Sequence, residues 1–173
     1  PKYINSPESP FFKKRNLLYN LQEAKKIARQ KKNLLICEGY MDVISLHQKG
    51  IKSVVAPLGT AFTEDQLMLS WKYVDMPTIM FDGDTAGIKA SYKAAVMSLP
   101  YLLPNKYLQF IKLPENVDPD SFFNEYTYED LRNLLKDPIS LVDFIFKESS
   151  HAIELNNAEQ KISYDKYLDD LVE

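Results

Sequence analysis

Carboxylate side chains follow two apolar runs of the sequence, at the point where each run ends. Glu38 comes directly after residues 34–37, and Asp82 and Asp84, separated by one glycine, come directly after residues 78–81. Alternate residues of an extended segment point the same way, so the two aspartates can face one ion. Carboxylates this close have raised pKa values or need a cation, and oxygen ligands suit Mg²⁺, the usual ion of phosphate chemistry. The pattern predicts metal-dependent work on nucleotides or nucleic acid.

Three further carboxylates can be interpreted either as metal ligands or as ordinary acids at the start of a helix. Asp42 lies four residues after Glu38, in the first turn of a predicted helix, where the helix dipole alone favours an acid. Asp118 and Asp120 flank Pro119 after another apolar run, an arrangement that is also typical of an ordinary helix start. The residues alone favour the helix-start interpretation for Asp42 and leave the other two open.

Apolar runs and capping signals predict the elements that position these residues. Four strands are predicted, at 34–37, 53–56, 78–81 and 107–113. Helices are predicted before and between them, at about 17–31, 41–49, 63–73 and 86–99. This alternation predicts an α/β fold with a mostly parallel four-stranded sheet flanked by helices, in which ligands lie outside the carboxyl ends of the strands. After residue 118 only helices are predicted, with breaks near Thr127, Pro138 and Asn156.

Composition limits the classes of protein. The 173 residues are 45% hydrophobic and suffice for one domain, or for one domain with an appendage. No apolar run approaches the roughly 18–20 residues of a membrane span, and the single cysteine, Cys37, excludes an internal disulfide framework. The chain begins at Pro1 and ends in a helical pattern without a stop signal, so we expect a fragment of a longer protein.

Charge is unevenly distributed along the chain. Residues 1–32 carry nine Lys and Arg against two Glu, a balance of +7, whereas the remaining 12 basic and 22 acidic residues give −10. A basic arm on an acidic body predicts that the arm contacts phosphates and that the body binds cations. A solvated, lysine-rich helix explains the lysines of the predicted first helix equally well.

Several strings resemble the TOPRIM domain of bacterial DnaG-type primases. They are Glu-Gly-Tyr-Met-Asp-Val at 38–43, Leu-Gly-Thr at 58–60 and Phe-Asp-Gly-Asp-Thr-Ala-Gly at 81–87. TOPRIM is the metal-binding module shared by these primases, type IA and type II topoisomerases and several nucleases. The segments that look specifically like primase lie at 2–8, 12–14, 18–19, 38–43 and 113–120. The resemblance covers about residues 2–146.

The resemblance implies a metal site and a nucleic-acid surface. Six carboxylates would bind Mg²⁺ or Mn²⁺, namely Glu38, Asp42, Asp82, Asp84, Asp118 and Asp120. Asp82 and Asp84 would be direct ligands, and Glu38 would be a ligand or the base that deprotonates the attacking 3′-hydroxyl. Template and nucleotide would be bound by Lys2, Tyr3, Asn5, Lys14 and Lys89.

The sequence departs from the family pattern at three positions. Thr85 and Ile88 stand where many relatives have arginine, and Arg15 stands where many have glycine. Positive charge is therefore missing beside the predicted metal site, and nucleotide-contact roles are not transferred to positions 85 and 88.

The resemblance also implies a function, that of the catalytic-core part of a bacterial DNA primase. Such an enzyme is a DNA-directed RNA polymerase that makes short RNA primers on single-stranded DNA by metal-dependent nucleotidyl transfer, in the cytoplasm at the replication fork. The implied partners are template DNA, ribonucleoside triphosphates and the RNA–DNA hybrid. Zinc would belong only to an upstream domain, and the replicative helicase would bind only a downstream domain, both absent from this sequence. We expect the isolated fragment to be monomeric and weakly active or inactive.

The predicted organisation has three parts. They are a basic arm and helix at 1–32, a TOPRIM α/β domain at 33–115 and a helical part at 116–173. Two other functions stay open at this point. One is another TOPRIM enzyme, a nuclease or topoisomerase fragment, and the other is a non-catalytic module that binds metal or nucleic acid.

Overall fold

The computed structural model describes residues 7–9, 12–152 and 158–172. Two short 3-10 turns, Lys14–Asn16 and Leu99–Tyr101, accompany the regular elements. The regular elements, in chain order, are α1 Leu21–Lys31, β1 Leu35–Ile36, α2 Tyr40–Gln48, β2 Val54–Val55, α3 Glu64–Ser70, β3 Thr78–Ile79, α4 Thr85–Ser98, β4 Gln109–Phe110, α5 Phe122–Glu125, α6 Tyr128–Lys136, β5 Ile139–Ser140, α7 Leu141–Ala152 and α8 Ala158–Val172.

The strands form one mixed sheet in the order β2-β1-β3-β4-β5. The strands β1 to β4 are parallel, and β5 pairs with β4 in the antiparallel direction. Leu35 lies opposite both Val54 and Thr78, so β1 is flanked on both sides. Because the chain leaves β1 for β2 on one side and returns to β3 on the other, the strand order reverses between β1 and β3. In such sheets, ligands bind beyond the carboxyl ends of the strands at this reversal.

Successive residues of the strands are buried on opposite faces of the sheet, as the pleat requires. Leu34 and Ile36 belong to one core, which α1, α3, α4 and α7 cover. Leu35 and Cys37 belong to a second core, which α2, α5 and α6 cover. The predicted α/β fold is therefore confirmed, with helices on both faces of the sheet.

The fifth strand corrects the predicted topology. The sequence predicts helices alone after residue 118, whereas Ile139–Ser140 form β5 and the sheet has five strands, not four. Pro138 cannot continue α6 and disfavours helical backbone at Asp137, which has φ −132°. The chain therefore leaves the helix extended and pairs with the edge of β4.

The first predicted helix begins later than expected. Residues 17–20 are not helical, because the Tyr19 N–H donates to the Ala56 carbonyl oxygen at 2.8 Å and holds the chain against the sheet. Asn20 has φ 64°, and its side-chain amide donates to the Val54 carbonyl oxygen at 2.9 Å. These bonds fix α1 beside β2.

The predicted start of α3 is confirmed in detail. Thr63 caps the helix by accepting from the Gln66 N–H at 3.3 Å, and Gln66 accepts from the Thr63 N–H at 3.1 Å.

Among the described residues, no helix has the length and apolar character that crossing a membrane requires. The division at residues 32 and 115 stays a prediction.

Candidate metal centre

Two of the predicted ligands lie at the carboxyl ends of neighbouring strands. Ile36 of β1 and Ile79 of β3 are paired in register, and Glu38 and Asp82 follow them by two and three residues. They therefore lie at the reversal of strand order, where the topology places a ligand. Glu38 and Asp82 therefore share one edge of the sheet.

Gly83 joins this edge to the segment that follows β4. Its N–H donates to the Val117 carbonyl oxygen at 2.8 Å. A Cβ atom at position 83 would lie 2.0 Å from the Pro114 carbonyl oxygen, far inside van der Waals contact. Glycine is therefore required for close approach, and this approach brings Asp118, the next residue along, to the same edge as Asp82.

Asp84 forms the N-terminal cap of α4. Its Oδ1 accepts from the Gly87 N–H at 2.7 Å, which satisfies a donor that the helix itself leaves unpaired. A Cβ atom at Gly87 would lie 2.2 Å from the Asp82 carbonyl oxygen, so α4 begins in direct contact with the preceding strand end. The predicted pair of aspartates thus has a divided structural role, because Asp84 caps a helix and Asp82 does not.

Asp42 combines both interpretations that the sequence leaves open. Its Oδ2 accepts from the Gly39 N–H at 2.9 Å, which caps α2, and the residue is only 8% exposed. Asp42 also interacts electrostatically with Asp118, Asp120 and Glu38. A helix-capping acid is therefore also a member of the acidic cluster, which we define as Glu38, Asp42, Asp82, Asp84, Asp118 and Asp120.

Asp118 and Asp120 lie in the turn that leads to α5. Asp118 Oδ1 accepts from the Ser121 N–H at 2.6 Å, so it too stabilises a turn. The Ser45 hydroxyl of α2 donates to the Asp120 carbonyl oxygen at 3.4 Å. This turn is thus held between α2 and the Gly83 loop, with both aspartates facing the other carboxylates closely enough to interact with Asp42.

Burial and mutual repulsion raise the pKa values of three members of the acidic cluster, Asp82, Asp42 and Glu38. Burial, followed by the charges of Asp42 and Glu38, raises the pKa of Asp82 to about 7. Burial likewise raises the pKa of Asp42 to about 6, although the Gly39 N–H opposes the shift. Glu38 is exposed at the rim, where partial desolvation and then the charge of Asp84 raise its pKa. Gathering these carboxylates therefore disfavours their ionised forms.

The donor chemistry of the cluster fits a hard divalent cation. Asp82 Oδ1 is shielded from solvent and has no hydrogen-bond partner among the described residues, and an unsatisfied buried carboxylate oxygen is costly unless a cation or donor meets it. Within the described part of the chain, no three Asp, Glu, His or Cys side chains are arranged to hold one ion. Mg²⁺ commonly uses one or two carboxylates and keeps several waters, so a pair such as Asp82 and a neighbour suffices.

The residues predicted to bind template and nucleotide lie in different parts of the chain. Lys89 of α4 is exposed and lines a cavity together with Glu38. Lys14 lies in the 3-10 turn packed against α3, where its carbonyl oxygen accepts from Gln66 Nε2 at 3.2 Å, and it does not line that cavity. Lys2, Tyr3 and Asn5 lie outside the described residues.

The sequence matches the models of two protein families. The model of the Toprim-like family matches residues 35–123, just over half of the chain. This chain belongs to the Toprim-like family. A second model, that of the N-terminal domain of the DNA primase catalytic core, matches residues 1–25.

Relatives of this Toprim-like chain are DNA primases. The DNA primase of Pasteurella multocida is 38% identical over 161 residues, which is 93% of this chain and 28% of the relative. The DNA primase of Rickettsia bellii is 39% identical over 170 residues, which is 98% of this chain and 28% of the relative. The chain therefore spans less than a third of the length of these curated relatives.

Solved structures agree with the sequence relatives. A DNA primase domain from Pseudomonas aeruginosa superposes with a TM-score of 0.91 at 36% identity, over 99% of this chain and 54% of that one. A DnaG primase catalytic domain bound to single-stranded DNA gives a TM-score of 0.89 at 33% identity, with the same coverage. The predicted relationship to the TOPRIM part of bacterial DnaG-type primases is confirmed.

Sequence reasoning missed the residues that hold the Toprim carboxylates in place. Gly83 and Gly87 act through contacts with Pro114 and Asp82, which no local pattern reveals. The spacing Asp-Gly-Asp followed by Ala-Gly contains both glycines, and this clustering was the available signal. Thr60, the last residue of the Leu-Gly-Thr string at 58–60, lines the same cavity as Glu38.

Proposed function

We propose that this chain is the metal-binding part of a primase catalytic core, and that the longer protein joins ribonucleotides on a single-stranded DNA template. The observation that carries the proposal is the unpartnered Oδ1 of Asp82, held among like charges at the reversal of strand order. A buried carboxylate in that setting is suited to a cation that handles phosphates. Kinship with DNA primases supplies the reaction class.

Asp82 and Asp84 are the proposed direct ligands of Mg²⁺ or Mn²⁺, with Asp42, Asp118 and Asp120 completing the negative field. When bound, the ion lowers the pKa of a 3′-hydroxyl and neutralises triphosphate charge. Glu38 is the proposed ligand or general base, because it is exposed at the rim and its raised pKa suits proton uptake. Lys89, on the same cavity, is suited to contact phosphate.

The proposed partners follow from this reaction and from the relatives. They are a DNA template strand, ribonucleoside triphosphates and the RNA–DNA hybrid, with nucleotidyl transfer as the chemistry. A helicase contact, a zinc site and a cytoplasmic location at the replication fork belong to the proposed longer protein. The isolated chain, which spans about a quarter of its curated relatives, is expected to be monomeric and to synthesise primers weakly or not at all.

A paired substitution at the proposed ligands tests the function. Asp82→Asn with Asp84→Asn removes two charges and keeps side-chain size, and asparagine still caps α4. We expect the isolated chain to lose Mn²⁺ binding in calorimetry, and the longer protein to lose primer synthesis. Asp169→Asn with Asp170→Asn, two exposed residues of α8, is the matched control and should retain both.

Unchanged primer synthesis by the Asp82→Asn and Asp84→Asn variant would contradict the assignment of these ligands. Strand cleavage instead of ribonucleotide incorporation by the unaltered protein would favour the nuclease or topoisomerase alternative. Absence of Mn²⁺ binding by the unaltered chain would favour the non-catalytic module.

A further inference from the structure

A cavity next to the acidic cluster has features of a ligand site. It lies between α4 and the loop at 57–62, and it encloses about 690 Å³. Glu38 is one of the residues that line it. The cavity therefore lies beside the sheet edge that carries the acidic cluster, which we call the metal edge. Its volume falls in the range of small-molecule and cofactor sites.

Two lysines form the charged wall of this cavity. Lys89 and Lys93 are four residues apart on α4, so they lie on one face of the helix, and both are exposed. Neither makes an ion pair with any residue that the structure describes. Since Thr85 and Ile88 carry no charge, α4 presents its positive charge to the cavity one and two turns beyond the metal edge.

The facing loop supplies an unsatisfied polar group. Thr60 lines the cavity, and its Oγ1 is shielded from solvent and has no hydrogen-bond partner among the described residues. The residue before it, Gly59, has φ +72°, which a residue with a side chain would adopt only with strain. Apolar side chains, among them Phe62 and Met97, line the rest.

The cavity continues away from the metal edge instead of closing. Thr60, Phe62 and Met97 also line a second cavity of about 510 Å³, which extends to Arg15. Glu64 and Asp65 line this second cavity as well, so its charge is mixed. The two cavities share wall residues, and the first carries both lysines, so together they form an extended groove that favours a strand over a single compact nucleotide.

We propose that this groove binds the backbone of a nucleic-acid strand as it leaves the metal edge. Lys89 and Lys93 contact its phosphates, and the Thr60 hydroxyl hydrogen-bonds to it. The inference rests on the proposed function, because that function supplies the strand. It adds Lys93 and the Thr60 hydroxyl to the residues proposed above.

Oligonucleotide binding in EDTA tests the groove without the metal. The probes are a fluorescent oligothymidylate and an oligouridylate, and the protein is the full chain. For Lys89→Gln with Lys93→Gln, we expect weaker binding and a salt slope of log K that is shallower by about 1.4, since each single-strand phosphate contact contributes about 0.7. The tighter of the two probes identifies the strand as DNA or RNA.

Matched variants separate the groove from general charge. Lys49→Gln with Lys72→Gln removes two exposed lysines that line neither of the two cavities, and should change the slope by less than half as much. Thr60→Val removes the hydroxyl at nearly constant volume and should weaken binding roughly three- to tenfold, the value of one hydrogen bond. An equal change of slope in both lysine pairs, or none in the cavity pair, would overturn the proposal.

Two further arms complete the test. ATP in EDTA should compete only weakly with the oligonucleotide for binding. If ATP bound as tightly as the oligonucleotide, and both depended equally on the two lysines, the cavity would be a mononucleotide site. The assignment to a strand would then be wrong. The Asp82→Asn and Asp84→Asn variant should keep oligonucleotide binding in EDTA. Primer synthesis that survives those substitutions refutes the proposed function alone, whereas lysine-independent binding refutes the groove alone.

Discussion

Replacing Gly83 with alanine is expected to destabilise the chain by about 2–4 kcal/mol. The added Cβ would lie 2.0 Å from the Pro114 carbonyl oxygen and 3.0 Å from that of Val117, and both atoms belong to the backbone. Ordinary contact begins at 3.4 Å, so the Pro114 segment or the strand end must move by about 1.4 Å, the difference of the two distances. Such a shift also removes the Gly83 N–H bond to Val117.

The magnitude follows from two effects. Overpacking of a close contact costs typically about 1–3 kcal/mol, and a lost internal hydrogen bond costs about 0.5–1.5 kcal/mol. Gly50→Ala is a suitable control, because Gly50 has φ +89° but open space around the added Cβ. Its expected cost is only the left-handed backbone penalty of about 1–2 kcal/mol.

The assay is urea unfolding of both variants in EDTA, with Mn²⁺ calorimetry as a second measurement. Gly83→Ala should unfold at the lower urea concentration. It should also bind Mn²⁺ more weakly than Gly50→Ala, because the displaced segment leads directly to Asp118. A Gly83→Ala midpoint equal to or above that of Gly50→Ala would refute the reasoning that close approach, rather than backbone conformation, requires this glycine.

Two further predictions concern pH and the segment before α1. Burial and then the charge of Asp42 raise the pKa of Asp82 from 3.8 to about 7. Between these pH values the native metal-free chain therefore binds more protons than the unfolded chain. The contribution of Asp82 to the free energy of unfolding falls as pH rises from about 4 to about 7. Urea unfolding in EDTA should therefore show a flatter pH profile for Asp82→Asn; an identical profile would contradict the shift. Gln66 is fully buried and its Nε2 donates to the carbonyl oxygens of Lys14 and Leu17. Gln66→Leu should cost about 2–4 kcal/mol, because it leaves the Leu17 carbonyl oxygen without this donor, leaves that of Lys14 with the Leu17 N–H alone, and removes the acceptor of the Thr63 N–H. It should also speed trypsin cleavage after Lys14, and unaltered cleavage would show that other contacts hold this segment.

Local patterns were sufficient to predict the sheet and the strand-end carboxylates. Apolar runs bounded by glycines and capping residues predict β1 and β3, and parallel strands necessarily bring Glu38 and Asp82 to one edge. The strand β5 could not be predicted, because the two residues Ile139–Ser140 show no alternation and are extended only through Pro138 and the available edge of β4.

The carboxylates of the acidic cluster are harder to interpret from the sequence because one side chain can serve two purposes. Asp42 and Asp118 each accept a backbone N–H in a cap or turn, and each also repels other carboxylates of the cluster. Interpreting these residues as helix-start acids is therefore correct, but it omits their interaction with the other carboxylates. The missing information is the approach of the 114–117 segment to Gly83, since that contact joins parts of the chain about thirty residues apart.

The two roles of these aspartates explain how the fold holds carboxylates that repel one another. Burial, followed by repulsion between the carboxylates, raises the pKa values of Asp82 and Asp42, so ionising them works against folding. The caps at Asp42, Asp84 and Asp118 oppose this, because their hydrogen bonds hold each carboxylate on a rigid helix start or turn. Asp82, whose Oδ1 is buried without a partner, is the member with least local support. The carboxylate that the fold satisfies least is therefore the one on which a divalent cation has most to gain, which is why the proposed metal assignment centres on Asp82, with the helix-capping Asp84 as the second proposed ligand.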